Sequence, residues 1–165
     1  VAAFARARER RPDLTLKLAG GRLPENAAAL IPLLNLEDAV EILPHVSREE
    51  LRRLHRHASL FLIPSFQEGL CISGLEALAC GVPVVSTRRG MLPEIVADGR
   101  TGILVEETAE SFAAALVRLA KDEALRRRMA KSAREAATER FTLGAQAERV
   151  EAIYRWVLGE GPRPE

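Results

Sequence analysis

Two carboxylates, Glu68 and Glu76, stand with seven residues between them in the run PSFQEGLCISGLEALACGVPVVS, residues 64–86. Between them lie a glycine-containing loop and the start of a helix, and Gly81-Val82-Pro83 leads out into an apolar strand. The first N–H groups of such a helix, around Cys71, Ile72 and Ser73, lack internal partners and carry the positive end of the helix dipole. An anion such as a diphosphate is stabilised there. Glu76, about one turn in, shares a face with Ile72 and Ser73 and can accept hydrogen bonds from both hydroxyls of a ribose. Glu68, before the helix, falls nearer the sugar hydroxyls or the leaving-group carbon. Gly69 lets the backbone approach a ligand, and Gly74 leaves room for a bulky group above the helix. Either acid alone reads most simply as a solvated side chain or a dipole partner. Together, in this context, they outline a pocket for a nucleotide sugar.

Other residues invite the same weighing. His45 follows a short strand and stands where it could touch a bound base, and Arg88-Arg89-Gly90 follows another strand and could supply phosphate charge. Glu94 is explained by capping a short helix. His55 and His57 are two apart on a helix, face different sides and make a poor metal pair, so both read as solvated surface. Cys71 and Cys80, nine apart on one helix, can neither bridge each other nor build a four-ligand zinc site. Arg126-Arg127-Arg128 reads as a wet helix face, and peripheral contact with anionic lipid is conceivable but unsupported. Tyr154 and Trp156 read as packing residues.

The elements that must position these groups follow from periodicity and punctuation. A helix ends near Arg11 and a strand spans 14–18; a helix follows at 25–34, then a strand at 39–43. Ser47-Arg48-Glu49-Glu50 is a capping box opening a helix that runs through His57. An apolar strand at 59–63 precedes the motif, whose helix covers 72–80 with Gly81 as its left-handed stop. A strand at 82–86, a helical turn at 93–97 and a strand at 102–105 complete the alternation. Three helices finish the chain, the last over 143–158 with Val150, Ile153, Tyr154 and Val157 on one face. Strands alternating with helices, without hairpin signals, imply an α/β, Rossmann-like doubly wound parallel sheet. Ligands of such sheets sit at the carboxyl ends of strands, where residues 64–71 lie.

Bulk properties agree. The 165 residues, 47% hydrophobic and 28% charged, suit one globular domain, and a net charge of +1 argues against a nucleic-acid binder. No apolar run reaches the roughly 20 residues of a membrane span. With free thiols, a cytoplasmic setting is the expectation. The start at Val1, in mid-helix, suggests a piece of a longer polypeptide.

Ser65…Glu68-Gly69, followed by Leu75-Glu76-Ala77-Leu78-Ala79-Cys80-Gly81-Val82-Pro83-Val84-Val85, resembles the donor-site signature of the family-4 retaining glycosyltransferases of GT-B fold. The likeness continues through Pro93-Glu94-Ile95-Val96 and the segment DGRTGILV at 98–105, and upstream residues 40–54 are similar to the wall of that family's nucleobase pocket. It extends over roughly residues 1–156. It implies the C-terminal donor half of a GT-B enzyme, with residues 1–158 as donor domain and 159–165 as a flexible tail. By carry-over Glu76 holds the ribose, Glu68 contacts the transferred sugar as the catalytic residue, and Gly69, Leu70, Cys71, Ile72 and Ser73 line the sugar and diphosphate. His45 and Arg88 join as donor-binding candidates. The resemblance implies transfer with retention and a nucleotide-diphosphate sugar as partner. The sequence contains no Asp-x-Asp, in agreement with a metal-independent reaction without a cofactor.

Three departures stand out. Leu70 and Cys71 replace the aromatic and second glycine of the Glu-Gly-aromatic-Gly loop, and Pro44 stands where a glycine is common. The family's opening strand, with its Gly-Arg and Lys, is absent, as is the acceptor domain. That strand belongs at the sheet centre, so its neighbours are expected to keep unpaired edges prone to self-association. The isolated chain is therefore expected to be inactive. A nucleotide or sugar-phosphate binding module without transfer activity remains the alternative reading; the run 93–105 beside the spaced acids disfavours a sugar-nucleotide epimerase.

Overall fold

The computed structural model describes residues 1–164; Glu165, the end of the expected tail, lies outside the described residues. Helices and strands alternate from α1 (Ala2–Arg10) through β1 (Leu16–Ala19), α2 (Glu25–Leu33), β2 (Val40–Leu43), α3 (Arg48–His57) and β3 (Phe61–Ile63). They continue with α4 (Ile72–Ala79), β4 (Val84–Thr87), α5 (Leu92–Ile95) and β5 (Gly102–Val105). Three longer helices close the chain: α6 (Ala109–Lys121), α7 (Glu123–Arg140) and α8 (Leu143–Val157). Every strand pair is parallel, so each connection crosses over through a helix. The α/β doubly wound reading holds.

The sheet is divided. β1 pairs with β2, while β3, β4 and β5 form a separate three-strand piece. Both pieces rest on a shared helical layer: Leu14, Leu60 and Leu62 all pack on a cluster of Ala7 from α1 and Ala113, Leu116 and Val117 from α6. Among the described residues β1 and β3 each keep one edge without a strand partner. The split falls where the expected strand order places its opening strand.

β4 is the centre of the larger piece, buried at all four positions. Its side chains alternate between two cores, as a period of two requires. Val84 joins Ile63, Leu78, Leu92 and Ala133 on the α4–α7 side; Val85 joins Phe112, Leu119 and Met129 on the α6 side. The strand begins at Val84, two residues later than the apolar run suggests, because Pro83 has no N–H to enter the ladder. Its carbonyl still accepts from the Phe61 N–H at 3.0 Å.

Local signals are obeyed at most helix ends. Ser47 and Glu50 form the expected reciprocal capping box, Glu50 accepting from the Ser47 N–H at 2.8 Å. Gly81 ends α4 at φ +75°. Cys71 and Cys80 stand at the two ends of α4 as its N-cap and C-cap residues. Two expectations fail. Tyr154 and Trp156 do not pack inward, and α8 buries none of its residues; it meets α7, but its apolar face stays exposed. His55 is not solvated surface but 4% exposed, the single buried residue of α3.

The β4–β5 contact leaves no room for a side chain at Gly102, where an added Cβ would lie 2.0 Å from the Val84 carbonyl oxygen. Backbone cannot yield as a flexible side chain can. Gly102→Ala is expected to cost about 1–3 kcal/mol in urea unfolding. An unchanged midpoint would show that the strands separate without penalty.

Candidate functional site

The loop between β3 and α4, residues 64–71, is held by the exit of β4 rather than by itself. Thr87, the last residue of β4, donates its hydroxyl to the Ser65 carbonyl at 2.7 Å. Gly90, at φ +53°, passes so close to Glu68 that a Cβ there would stand 1.8 Å from the Glu68 carbonyl oxygen. These contacts fix the Glu68 backbone while its side chain stays half-buried. Neither Thr87 nor Gly90 was singled out in the sequence for this role, although Gly90 sits beside two arginines that were.

The second acid rides on α4. Among the described residues no side chain caps this helix at its N-cap Cys71, whereas Ser47, Thr108, Asp122 and Thr142 cap α3, α6, α7 and α8. The amides of Ile72, Ser73 and Gly74 therefore open the helix without a side-chain acceptor at the cap, close to the thiol of Cys71, whose Sγ lies 3.4 Å from the Ser73 hydroxyl. Ile72, Ser73 and Glu76 are all exposed, consistent with one outward face. Gly74 is different. It is buried, and a Cβ would meet Ile63 Cδ1 at 2.9 Å and Ile95 Cδ1 at 3.2 Å. Its function is to seat α4 on β3 and α5, not to leave space for a ligand as expected above.

The remaining candidates are spread around this nucleus. Gly69 faces open space. Leu70 is 52% exposed, and Phe66, Ile72 and Met91 are exposed apolar side chains on the neighbouring loops and helix start. His45 is exposed on the turn after β2, in the smaller sheet piece. Arg88 is engaged elsewhere: its guanidinium donates to Asp98 Oδ2 at 2.7 Å, and Arg89 pairs with Glu107. Burial pushes the Asp98 carboxyl up, but the Leu104 amide and Arg88 outweigh it and hold the group below its ordinary value. An exposed pair of this kind is worth about 0–1 kcal/mol, so an anion could compete for Arg88 at little cost.

Behind α4 lies a group that residue type alone did not reveal. His55 packs edge-on against Phe61, ring centroids 5.1 Å apart at 62°. Its Nε2 is buried without a hydrogen-bond partner, alone in this among the side-chain atoms of the described residues. Such an atom costs about 1–3 kcal/mol. Burial pushes the imidazole below its ordinary value of 6.5, against an opposing pull from the Glu76 charge.

Two concavities lie away from these residues. One, of about 340 Å³, adjoins Arg8, Asn35 and Asp38; the other, of about 410 Å³, adjoins α8 and the tail. No cluster of three potential metal-ligating side chains occurs among the described residues.

The family model described as glycosyl transferases group 1 matches residues 1–136. A D-inositol 3-phosphate glycosyltransferase of Mycobacterium sp. (strain KMS) is 41% identical over 107 residues, 61% of this chain and 24% of that protein. Among solved structures, sucrose-phosphate synthase from Thermosynechococcus elongatus superposes with a TM-score of 0.81 at 29% identity, covering 96% of this chain and 42% of that one. Anabaena Alr3699/HepE, solved in complex with UDP and glucose, gives a TM-score of 0.81 at 23% identity, covering 93% and 43%, and bears on the fold alone. The chain spans about a quarter of the length of the first curated relatives it matches.

The contact between Gly90 and Glu68 makes a direct prediction. Gly90→Ala should move the backbone amide resonances of residues 65–69 and lower stability by roughly 1–3 kcal/mol. Unmoved resonances across that loop would dissociate the two segments.

Proposed function

We propose, from the premise that this chain belongs to the glycosyl transferases group 1 family, that it binds the nucleotide-diphosphate sugar donor of a longer transferase. The observation that carries this reading is the placement of Glu68 and Glu76 on either side of the α4 N-terminus, at the carboxyl end of β3. The diphosphate would lie against the amides of Ile72 and Ser73 and the dipole of α4. Glu76 would take the ribose hydroxyls, and Glu68 the transferred sugar. Gly69, Leu70 and Cys71 would form the floor beside the sugar, while His45 would approach the base and Arg88 would exchange Asp98 for a phosphate oxygen.

In transfer, the bond from the sugar's anomeric carbon to the diphosphate oxygen breaks and a bond to the acceptor oxygen forms on the same face, giving retention. The acceptor's proton passes to the departing diphosphate, whose charge the helix amides and cations stabilise without a metal. The acceptor half would be supplied by a separate domain. The exposed apolar side chains Phe66, Leu70, Ile72 and Met91 support this, since exposed apolar surface beside a polar site favours a covering partner. On this reading the isolated chain binds but does not transfer, in a cytoplasmic setting. Among the described residues no helix is long and apolar enough to cross a membrane. Nucleic acid is not a proposed partner, and the arginine run offers little to a lipid surface: Arg126 donates to the Leu119 carbonyl and Arg127 pairs with Glu123.

A binding module without transfer activity is the second reading, favoured by the divided sheet and by Leu70 and Cys71 in the loop. Both readings require the nucleotide grip. Titration with uridine and guanosine diphosphates should show one of them bound, and Glu76→Ala should weaken it about tenfold, the scale of a lost charged hydrogen bond. Equal binding by both proteins would remove Glu76 from the ribose role. The unpaired edges of β1 and β3 generate a further expectation, that the chain self-associates or unfolds without cooperativity. A stable, cooperatively unfolding monomer in size-exclusion chromatography would contradict it.

A further inference from the structure

We propose that His55 is a positioning residue for Glu76, its buried Nε2–H being the donor that holds one oxygen of that carboxylate once the other engages a ligand. The proposal rests on the nucleotide-binding reading of Glu76, but its structural half can be tested without a ligand.

Three observations lead to it. α3 packs against α4, and His55 is the one residue of α3 that is buried. Its ring is locked edge-on against Phe61, which itself packs on the core beneath α4 together with Leu75 and Ala77. A leucine or phenylalanine could fill the same apolar space, yet a polar atom sits there with no partner. A buried donor without an acceptor is retained at a cost, and it needs an explanation other than packing.

The nearby charge supplies one. Glu76, on the facing helix, is the charged group that acts on the His55 ring against its burial. Burial disfavours the charged form of the ring, and a neutral imidazole offers one N–H without adding a positive charge near the donor. Glu76 is exposed and, among the described residues, no side-chain hydrogen bond holds its carboxylate, so it is free to change rotamer. A hydroxyl-bearing ligand fixes one carboxylate oxygen, and the second then has a preset donor on α3. Helical spacing alone suggested a solvated histidine; its burial gives it this second possibility.

The test compares His55→Gln, whose amide keeps an N–H at the ε position, with His55→Leu, which fills the space without it. Uridine diphosphate is the probe. His55→Leu should bind roughly five- to tenfold more weakly although its thermal midpoint is equal to or above that of the parent chain, because the orphan atom is gone. His55→Gln should stay within about twofold of the parent. In a Glu76→Gln background the His55→Leu change should have no further effect on binding. Equal loss in both His55 variants, or additive losses with Glu76→Gln, would overturn the proposal. If the parent chain binds no nucleotide, the functional reading fails on its own, and NMR titration of the His55 ring still decides the coupling. Glu76→Gln should lower its midpoint; an unmoved midpoint would overturn the pairing.

Discussion

The structure depends on one strand buried on both faces. Val84–Thr87 lies between β3 and β5 and has no solvent-facing position, as expected for the middle of a parallel sheet covered by helices. Val84 and Val85 anchor separate cores, so β4 cannot slide by one residue without turning both inside out. Its carboxyl end then sets the site. The Thr87 hydroxyl holds the Ser65 carbonyl, and Gly90 sits under Glu68. The loop that carries the first acid is shaped by the strand next door.

Much of this is legible in the sequence where the signal is local. The capping box at Ser47, the left-handed stop at Gly81 and the strand–helix alternation each follow from residue type and spacing, and each appears in the structure. The outward face of Ile72, Ser73 and Glu76 follows from helical periodicity as well. Signals that depend on a neighbour distant in sequence are not legible. Gly74 reads as ligand room because small residues near a helix start often serve that end; only Ile63 and Ile95 show that it is a packing contact. His55 reads as surface because histidine beside arginines on a helix usually is. Phe61, six residues on and on a different element, reverses this by offering an aromatic face.

The C-terminal helices show the opposite error. The stripe Val150, Ile153, Tyr154 and Val157 has a helix's periodicity, which predicts an apolar face but not a partner for it. α6 and α7 find theirs in β4, α4 and α1, whereas α8 meets α7 without burying any of its residues. Amphipathicity states what a helix can bury, and only tertiary context states whether it does.

The two acids therefore stand on different supports, and their separation is a property of the fold. Glu68 is pinned through backbone by β4 and the loop that follows it. Glu76 is pinned through α4, which is seated on Ile63 and Ile95 at Gly74 and tied at its far end by Arg134, whose guanidinium donates to the Ala79 carbonyl at 2.9 Å. Gly81 keeps that end close, running past the Ala130 carbonyl on α7. Among the described residues no side-chain hydrogen bond or ion pair holds either carboxylate, while the backbone beneath each is held by the contacts above. A site with free side chains on fixed supports has little ordering entropy left to lose in its backbone when a ligand arrives. Around the acids Phe66 and Leu70 on the loop, Ile72 at the start of α4 and Met91 just past Gly90 are exposed apolar side chains. Glu76 is exposed and Glu68 half-buried, so water limits the strength of each polar contact they make until a partner covers them.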